Sequence, residues 1–346
     1  MKLRSALISM SLLGFAASIQ AQDGSVGIVA KRIFAMPSYA TVGGTTLRDV
    51  RVGWEAYGQL NATRDNVIIV PHFITGNSHA AGRYKADDTA PGYWDPIIGP
   101  DKPVDTNRFY VVSVDSLANL NTKDPNTTTT GPATIDPDTG KPWGMSFPIV
   151  TMRDFVNVQK ALLDPLGVTR VHAAIGASMG AMQALEWASA YPDMVQRVVP
   201  VTLDAGHWGW ADKAFARRLA RDGENPLTSW NNKYAIAAAL DAAGTARAHT
   251  GDANHFLYLV RANQLFMTGH DGGGLEAGLS RIKAKALFLP AKSDLLLAPE
   301  NARKAVETLK RLGKQAELVG IDGDGGHLDG VLAIARVGAP HRRFLD

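Results

Sequence analysis

The sequence predicts an α/β fold in which a mostly parallel central sheet is flanked by helices and interrupted by a helical insertion. Six apolar runs rich in β-branched residues alternate with segments of helical spacing. Near-continuous apolar runs are typical of strands covered on both faces. Strands that alternate with helices form largely parallel sheets. The 346 residues, 45% of them hydrophobic, are enough for one large core.

The individual elements follow from these runs in chain order. Helical segments are predicted at 151–167, 180–192 and 299–313, and the first of them ends at Asp-Pro and a glycine. Residues 117–148 are dense in Thr, Asn, Asp, Pro and Gly, which predicts a long loop of the kind that often carries function. The predicted strands are 66–73, 108–116, 170–178, 196–203, 284–294 and 315–322.

The first 21 residues have the layout of a secretory signal peptide. Lys2 and Arg4 precede the apolar stretch "ALISMSLLGFAAS", which is too short to span a bilayer, and a small-residue segment follows. The alternative, a buried N-terminal helix, would require a polar face at helical period that the segment lacks. Cleavage is predicted after Ala21, which gives a secreted, periplasmic protein whose mature form does not associate with a membrane.

The remaining chain divides into three parts. Residues 22–203 are predicted to form the first part of an α/β core, and 283–346 the second part. The stretch 204–282 contains helical patterns without a clear strand, so we expect a helical lid inserted into the core.

Charge and cysteine content exclude several function classes. Without residues 1–21 the chain carries 34 Lys and Arg against 33 Asp and Glu, with no basic block, so nucleic acid is not an expected partner. Cysteine is absent, which excludes disulfides and thiolate chemistry. No cofactor is predicted.

The segment "GASMG" places Ser178 between a predicted strand and a predicted helix. G-x-S-x-G in this context is the pattern of a nucleophile elbow, in which small neighbours let strand and helix approach. Glycine-rich strand-to-helix turns are frequent, so the motif alone does not distinguish a nucleophile from an ordinary turn.

Two further residues complete a candidate catalytic triad. A serine hydroxyl needs a base, and the base needs an orienting acid. Asp294 and His327 each follow a predicted strand, in the chain order Ser, Asp, His of doubly wound hydrolases. Taken singly, Asp294 is better explained as a helix cap and His327 as a surface loop residue. The chain order of all three residues favours catalysis. Weaker acid candidates crowd His327, namely Asp322, Asp324 and Asp329.

An oxyanion hole is expected beside the serine. Backbone N–H groups would hold the tetrahedral intermediate, one from Met179 and the other from the loop after the first predicted strand, at Ile74 or Thr75. Gly76 suits a turn that brings backbone close to a ligand, so Thr75 and Gly76 are also candidate substrate contacts.

Other side chains have less specific signals. His72 and His79 flank the oxyanion loop, but no carboxylate or cysteine spacing supports a metal site, and none is predicted. Aromatic residues of the lid are candidates to line a substrate pocket, although packing within the lid explains each equally well. They are Trp208, Trp210, Phe256 and Tyr258.

At these motifs the chain resembles the homoserine O-acetyltransferase family of α/β-hydrolase-fold proteins. The resemblance covers most of the chain after residue 21, and "TGNSHAAG" and "SMGAMQALEW" are especially specific. It implies a hydrolase core with a helical lid, the triad Ser178, Asp294 and His327, and a dimer formed through lid helices. Similar stretches include "HFITGNSHAAG" (72–82), "IGASMGAMQALEWASAYPDMVQRVV" (175–199), "DANHFLYLVRANQLF" (252–266) and "LFLPAKSDLLLAPE" (287–300).

Departures from the family pattern suggest an exported, divergent member. The family usually has an aspartate directly after the catalytic histidine, where it helps to hold the substrate amino group. This chain has Leu328 there and Asp329 one position later. The helix that receives the substrate carboxylate matches poorly, with Arg217 or Arg218 as substitutes, and the lid is short ahead of "DANHFLYL".

Three functions are therefore weighed. Hydrolysis of a small ester or related acyl substrate is preferred, because acetyl-CoA is a cytosolic metabolite and an exported enzyme always has water as acceptor. The alternative is transfer of an acyl group from acyl-CoA to an alcohol. A non-catalytic binding protein on a hydrolase fold belongs to another class, and an intact triad argues against it.

Overall fold

A β-sheet forms the centre of the protein. A computed structural model describes residues 24–202, 235–269 and 273–346 of the chain. Within these residues the sheet has eight strands, and all six strands predicted from the sequence are among them. Two short strands elsewhere, β4 (Ile98–Gly99) and β5 (Val104–Asp105), pair with each other. The eight strands are β1 (Arg32–Ala40), β2 (Thr46–Tyr57), β3 (Val67–Ile69), β6 (Tyr110–Val114), β7 (Val171–Ala177), β8 (Arg197–Val201), β9 (Lys285–Phe288) and β10 (Ala316–Leu318).

The strand order in space is β1-β2-β6-β3-β7-β8-β9-β10. All pairs from β6 to β10 are parallel, whereas β1 and β2 add an antiparallel edge. The predicted mostly parallel sheet is therefore confirmed. The carboxyl ends of the parallel strands share one edge of such a sheet, which is where open α/β folds carry their sites.

Helices connect the parallel strands, as predicted for 151–167, 180–192 and 299–313. The first helix begins at a capping box in which Thr151 and Asp154 bond each other's backbone. The described helices are α1 (Met152–Leu163), α2 (Met179–Ala190), α3 (Ala235–Thr250), α4 (Ala253–Gln264), α5 (Gly274–Arg281), α6 (Pro299–Arg311), α7 (Asp329–Leu332) and α8 (Gly338–Leu345).

The two faces of the sheet are covered by two separate hydrophobic clusters. On one face, helices α1, α2 and α6 bury side chains such as Leu162, Trp187 and Leu309. On the other face, Trp94 and Leu345 belong to a cluster built from the segment before β6 and from the C-terminal helices. Burial on both faces explains why the parallel strands are almost continuously apolar.

The hairpin β1–β2 is not among the strands that the apolar runs predict. No residue of β1 is fully buried, and along β2 buried positions are interspersed with exposed ones. An antiparallel edge strand with one solvated face lacks the continuous apolar run by which the other strands were identified.

The predicted insertion 204–282 is described only in part. Of the described residues in this stretch, α3, α4 and α5 are helical, and residues 203–234 and 270–272 lie outside the description. The end of the stretch differs from the expected lid. Helix α5 packs against α2 and α6, and its Glu276 pairs with Arg311 of α6 at 2.7 Å. It therefore belongs to the helical layer of the core.

The predicted signal segment 1–21 lies outside the described residues, as do Arg217 and Arg218. Within the residues that are described, no helix has both the length and the apolar character needed to cross a membrane.

His341 of α8 is a buried polar side chain without a described partner. It is fully buried, and neither ring nitrogen hydrogen bonds to another described residue. Burial lowers the pKa of His341 from 6.5 to about 4, because the charged imidazolium loses its hydration. The unfolded chain therefore binds a proton here between pH 6.5 and 4 that the folded chain does not, and the free energy of unfolding falls as the pH falls.

We expect His341→Leu to stabilise the protein. The substitution removes two unpaired buried nitrogens at similar volume, which should raise the free energy of unfolding by about 1 kcal/mol at pH 7. The gain should be larger at pH 5, because the acid-dependent penalty is removed as well. Urea unfolding of both proteins at the two pH values measures this, and a variant that is less stable at both would contradict it.

Candidate active site

Ser178 lies between the end of β7 and the start of α2, in an unusual backbone conformation. Its φ is 55° and its ψ is −123°, a region that residues with a side chain rarely adopt. The Ser178 N–H donates to Val201 O at 3.1 Å, and its carbonyl accepts from Ala181 and Met182. These bonds to β8 and to the first turn of α2 hold the strained residue in place.

The glycines of "GASMG" explain why this turn needs small residues. A Cβ placed on Gly176 would lie 2.3 Å from the carbonyl oxygen of Gly180. One on Gly180 would lie 2.3 Å from the carbonyl oxygen of Pro71, in the loop that follows β3. Neither approach tolerates a side chain. The turn at Ser178 is therefore in direct contact with the loop that was expected to form the oxyanion hole.

The structure brings Ser178, His327 and Asp294 together in one chain of hydrogen bonds. Ser178 Oγ lies 2.8 Å from His327 Nε2, and His327 Nδ1 lies 2.7 Å from Asp294 Oδ2. These residues come from three loops at the carboxyl edge of the sheet, and His327 is 33 positions from Asp294 and 149 from Ser178 in sequence. The arrangement is that of a nucleophile, its base and the acid that orients the base.

The carboxylate of Asp294 is fixed by its own loop. The side chain is buried, and Oδ1 accepts the N–H groups of Leu296 at 2.8 Å and Leu297 at 2.9 Å. Bonds to one oxygen set the rotation of the carboxylate and leave Oδ2 for His327. The Asp294 side chain thus bonds the backbone that follows it, as a cap would, and also contacts His327.

The loop that carries His327 is held by two residues whose roles the sequence did not indicate. Ser293 Oγ donates to Gly323 O at 2.7 Å and accepts from Gly326 N–H at 3.1 Å. The carboxylate of Asp329 is buried and accepts from Gly325 N–H at 3.0 Å. Asp329 therefore bonds the backbone of the His327 loop, and it is not the acid partner of the imidazole.

Ile74 and Thr75 form the centre of a tight turn, here called the oxyanion turn, which spans residues 73–76. Gly76 N–H closes it by donating to Phe73 O at 2.9 Å. The amide of Asn121, in the loop after β6, donates to the carbonyls of Thr75 at 3.2 Å and Gly76 at 3.0 Å. The carbonyls of the two candidate substrate contacts are thus engaged by the protein itself.

A cationic side chain from the inserted helices contacts the oxyanion turn. Arg247 of α3 donates to Asn121 Oδ1 at 2.8 Å, and its Nη1 lies 3.4 Å from Thr75 O. The Arg247 side chain is exposed. Helix α3 is therefore connected to the oxyanion turn, a contact that no motif in the sequence indicated.

The two histidines beside the turn have separate partners. His72 is buried and bonds both its own loop, through Nδ1, and the loop after β6, through Nε2. Burial lowers its pKa from 6.5 to about 4. His79 Nδ1 lies 3.1 Å from Glu55 Oε2, and its ring stacks on Tyr84. Over the described residues, no group of three or more His, Cys, Asp or Glu side chains is placed to hold a metal ion.

The aromatic candidates for a substrate pocket divide into three cases. Tyr258 was expected to line the pocket, but it packs edge-on against Phe147 in the main core cluster. Its hydroxyl donates to the carbonyls of Phe147 and Met145, so the residue has a packing role. Phe256 is 43% exposed on α4. Trp208 and Trp210 lie outside the described residues.

Exposed leucines directly follow two residues of the candidate triad. Leu295 is next to Asp294 and is 50% exposed; Leu328 is next to His327 and is 42% exposed. Leu332, at the end of α7, is 74% exposed. The positions that directly follow Asp294 and His327 therefore present apolar side chains to solvent.

Comparison with known proteins agrees with this architecture. A family model described as the alpha/beta hydrolase fold matches residues 66–331. The homoserine O-acetyltransferase of Symbiobacterium thermophilum is 34% identical over 352 residues, which covers 88% of this chain and 90% of the relative.

Two solved structures are similar over most of their length. The crystal structure of esterase E22 is 44% identical with a TM-score of 0.85, and the match covers 92% of this chain and all of that chain. The homoserine O-acetyltransferase of Bacillus anthracis is 31% identical with a TM-score of 0.84, covering 92% of this chain and 98% of the other. The protein is thus an α/β-hydrolase-fold enzyme, and it belongs to the homoserine O-acetyltransferase family.

Proposed function

We propose that this enzyme is a serine esterase that hydrolyses small acyl esters through an acyl-enzyme intermediate. The observation that carries the proposal is the continuous hydrogen-bond chain from Ser178 Oγ through His327 to Asp294, at 2.8 and 2.7 Å. A serine in this arrangement has its base within transfer distance before any substrate binds.

Acylation of Ser178 is the first half of the proposed reaction. His327 Nε2 takes the hydroxyl proton as Oγ bonds to the ester carbonyl carbon, and the N–H groups of Met179 and Ile74 hold the resulting oxyanion. His327 then gives that proton to the alkoxy oxygen as its bond to the carbonyl carbon breaks. Asp294 keeps the imidazole in the productive tautomer and stabilises its charged form.

Deacylation repeats the same steps with water as the nucleophile. His327 takes a proton from water as its oxygen attacks the acyl carbon, and the oxyanion occupies the same site. His327 returns the proton to Ser178 Oγ as the acyl bond breaks, which releases the carboxylic acid and restores the free enzyme.

Water rather than homoserine is the proposed acceptor because of the surroundings of His327. The position that carries an aspartate in the family is the exposed Leu328, which has no charge for an amino group. Asp329 does not replace it, since that buried carboxylate is committed to Gly325 N–H. The 44% identity to a protein described as an esterase also supports hydrolysis.

We also propose that residues 1–21 are an export signal and that the enzyme acts outside the cytoplasm. The short apolar stretch after Lys2 and Arg4 supports this. An acyl-CoA donor would then be scarce, whereas esters and water are not. Transfer to an alcohol is the second candidate, favoured by the family relatives, and it uses the same acyl-enzyme.

Ser178→Ala should lower kcat/KM for p-nitrophenyl acetate by at least about 10³-fold without unfolding the protein, because the acyl-enzyme no longer forms. A fluorophosphonate probe should label the wild-type protein on Ser178 and leave the variant unlabelled. Ser280→Ala, which removes an exposed serine of α5, is the matched control and should behave as wild type. A Ser178→Ala variant that keeps most of its activity would favour a different nucleophile or a non-catalytic protein.

Leu328→Asp should shift the fate of the acyl-enzyme toward an amino-bearing acceptor, because it places a carboxylate beside His327. With p-nitrophenyl acetate and a fixed concentration of homoserine, the ratio of acetylhomoserine to acetate should rise. Leu328→Asn controls for the loss of the apolar side chain and should raise the ratio less. Equal ratios in both variants would show that charge at this position does not select the acceptor.

A further inference from the structure

The peptide between Phe73 and Ile74 is anchored on its carbonyl side by two donors. His72 Nδ1 lies 2.7 Å from Phe73 O, and Gly76 N–H donates to the same oxygen at 2.9 Å. The N–H of this peptide belongs to Ile74, which is the oxyanion donor in the proposed function. One peptide plane therefore carries both the anchored carbonyl and the catalytic N–H.

Anchoring the carbonyl also fixes the direction of the N–H. A peptide bond is planar, and in its trans form the C=O and N–H bonds point in opposite directions. The described residues contain no cis peptide. Rotation of the Phe73–Ile74 plane would move the oxygen away from both of its donors. Donation to the carbonyl also polarises the peptide, which makes its N–H a stronger donor.

The tautomer of His72 is determined by its other partners. Ser116 N–H can only donate, and it lies 3.0 Å from His72 Nε2. The Asn119 amide nitrogen lies 3.1 Å from the same atom. Nε2 is therefore the unprotonated acceptor, so that the proton of the neutral ring is on Nδ1, facing Phe73 O.

The surroundings hold this arrangement rigid and neutral. His72 is 1% exposed, and burial lowers its pKa to about 4, so the ring stays uncharged at neutral pH. Asn119 also donates to Gly76 O at 3.1 Å, which ties the partner of Nε2 to the oxyanion turn itself. The imidazole thus bridges the backbone after β6 and the Phe73–Ile74 peptide.

We propose that His72 is a positioning residue of the oxyanion hole, which aims and polarises the Ile74 N–H by donating Nδ1–H to Phe73 O. This rests on the proposed function, because it assigns the Ile74 N–H to the oxyanion. His72 itself touches neither the substrate nor the triad. Its contribution is to the two oxyanion-stabilised intermediates, one in acylation and one in deacylation, and not to binding of the ester.

Two substitutions at position 72 distinguish the contributions of the two ring nitrogens. The amide of Asn in His72→Asn reaches the place of Nδ1 and keeps a donor for Phe73 O, while the acceptor for Ser116 is lost. The longer Gln in His72→Gln reaches the place of Nε2 and keeps that acceptor, while the donor to Phe73 O is lost. Both variants disturb a buried site, so their thermal unfolding is measured alongside activity.

Activity and inhibitor binding should depend on the hydrogen bond that Nδ1 donates to Phe73 O. His72→Gln should lower kcat about 10- to 100-fold, somewhat less than complete removal of an oxyanion donor, with KM within about two-fold of wild type. His72→Asn should retain more of the wild-type kcat than His72→Gln, whatever its melting temperature. Affinity for a trifluoromethyl ketone, which forms an oxyanion on Ser178, should fall by the same factor as kcat/KM, because the ketone adduct resembles the intermediate.

The control is His341→Gln. His341 is equally buried, its pKa is also about 4, and it lies on α8, where it makes no hydrogen bond to the oxyanion turn. Its substitution should alter stability alone. A His72→Gln variant that keeps wild-type kcat and ketone affinity would overturn the proposal, as would equal losses in the Asn and Gln variants. Wild-type protein that neither hydrolyses esters nor takes the fluorophosphonate probe would overturn the proposed function first, and the proposal for His72 with it.

Discussion

The close contact between the start of α2 and the loop after β3 is the constraint on which the rest of the site depends. Gly180 approaches Pro71 O so closely that a methyl group would have no room. This contact brings Ser178 and the oxyanion turn, which belong to different strands, to the same point. The neighbouring strands β7 and β3 are paired in the sheet, so the approach is set by the spacing of a parallel pair.

Around that contact, side chains of the loops at the candidate site hydrogen bond the loop backbone. Asp294 holds its own loop, Ser293 and Asp329 hold the loop of His327, and the Asn119 and Asn121 amides hold the oxyanion turn. Loops without regular structure otherwise leave buried N–H and C=O groups unpaired, which is costly. The same bonds that satisfy the backbone therefore also fix the geometry that acyl transfer requires.

Family membership and the proposed activity are compatible because the acyl-enzyme is common to both. Hydrolases and acyltransferases on this fold differ in the acceptor that reaches the acylated serine, and fold alone does not decide that choice. Under the proposed function, that choice is made next to His327. An exposed leucine replaces a charge there, and the nearby Asp329 is used for structure.

The sequence by itself determined the parallel strands, the main helices and the three residues of the candidate triad. A continuous apolar run indicates a strand that is buried on both faces of a sheet, and the end of such a strand indicates the edge at which sites form. Both signals can be read from a few neighbouring residues. The hairpin β1–β2 lacks a continuous apolar run, and it was not predicted for that reason. Tertiary structure alone decided that Tyr258 packs in the core, that Asp329 bonds the backbone of the His327 loop, and which ring nitrogen of His72 carries the proton. Each of these depends on a partner that no local pattern records, such as Phe147 for Tyr258 or Ser116 for His72.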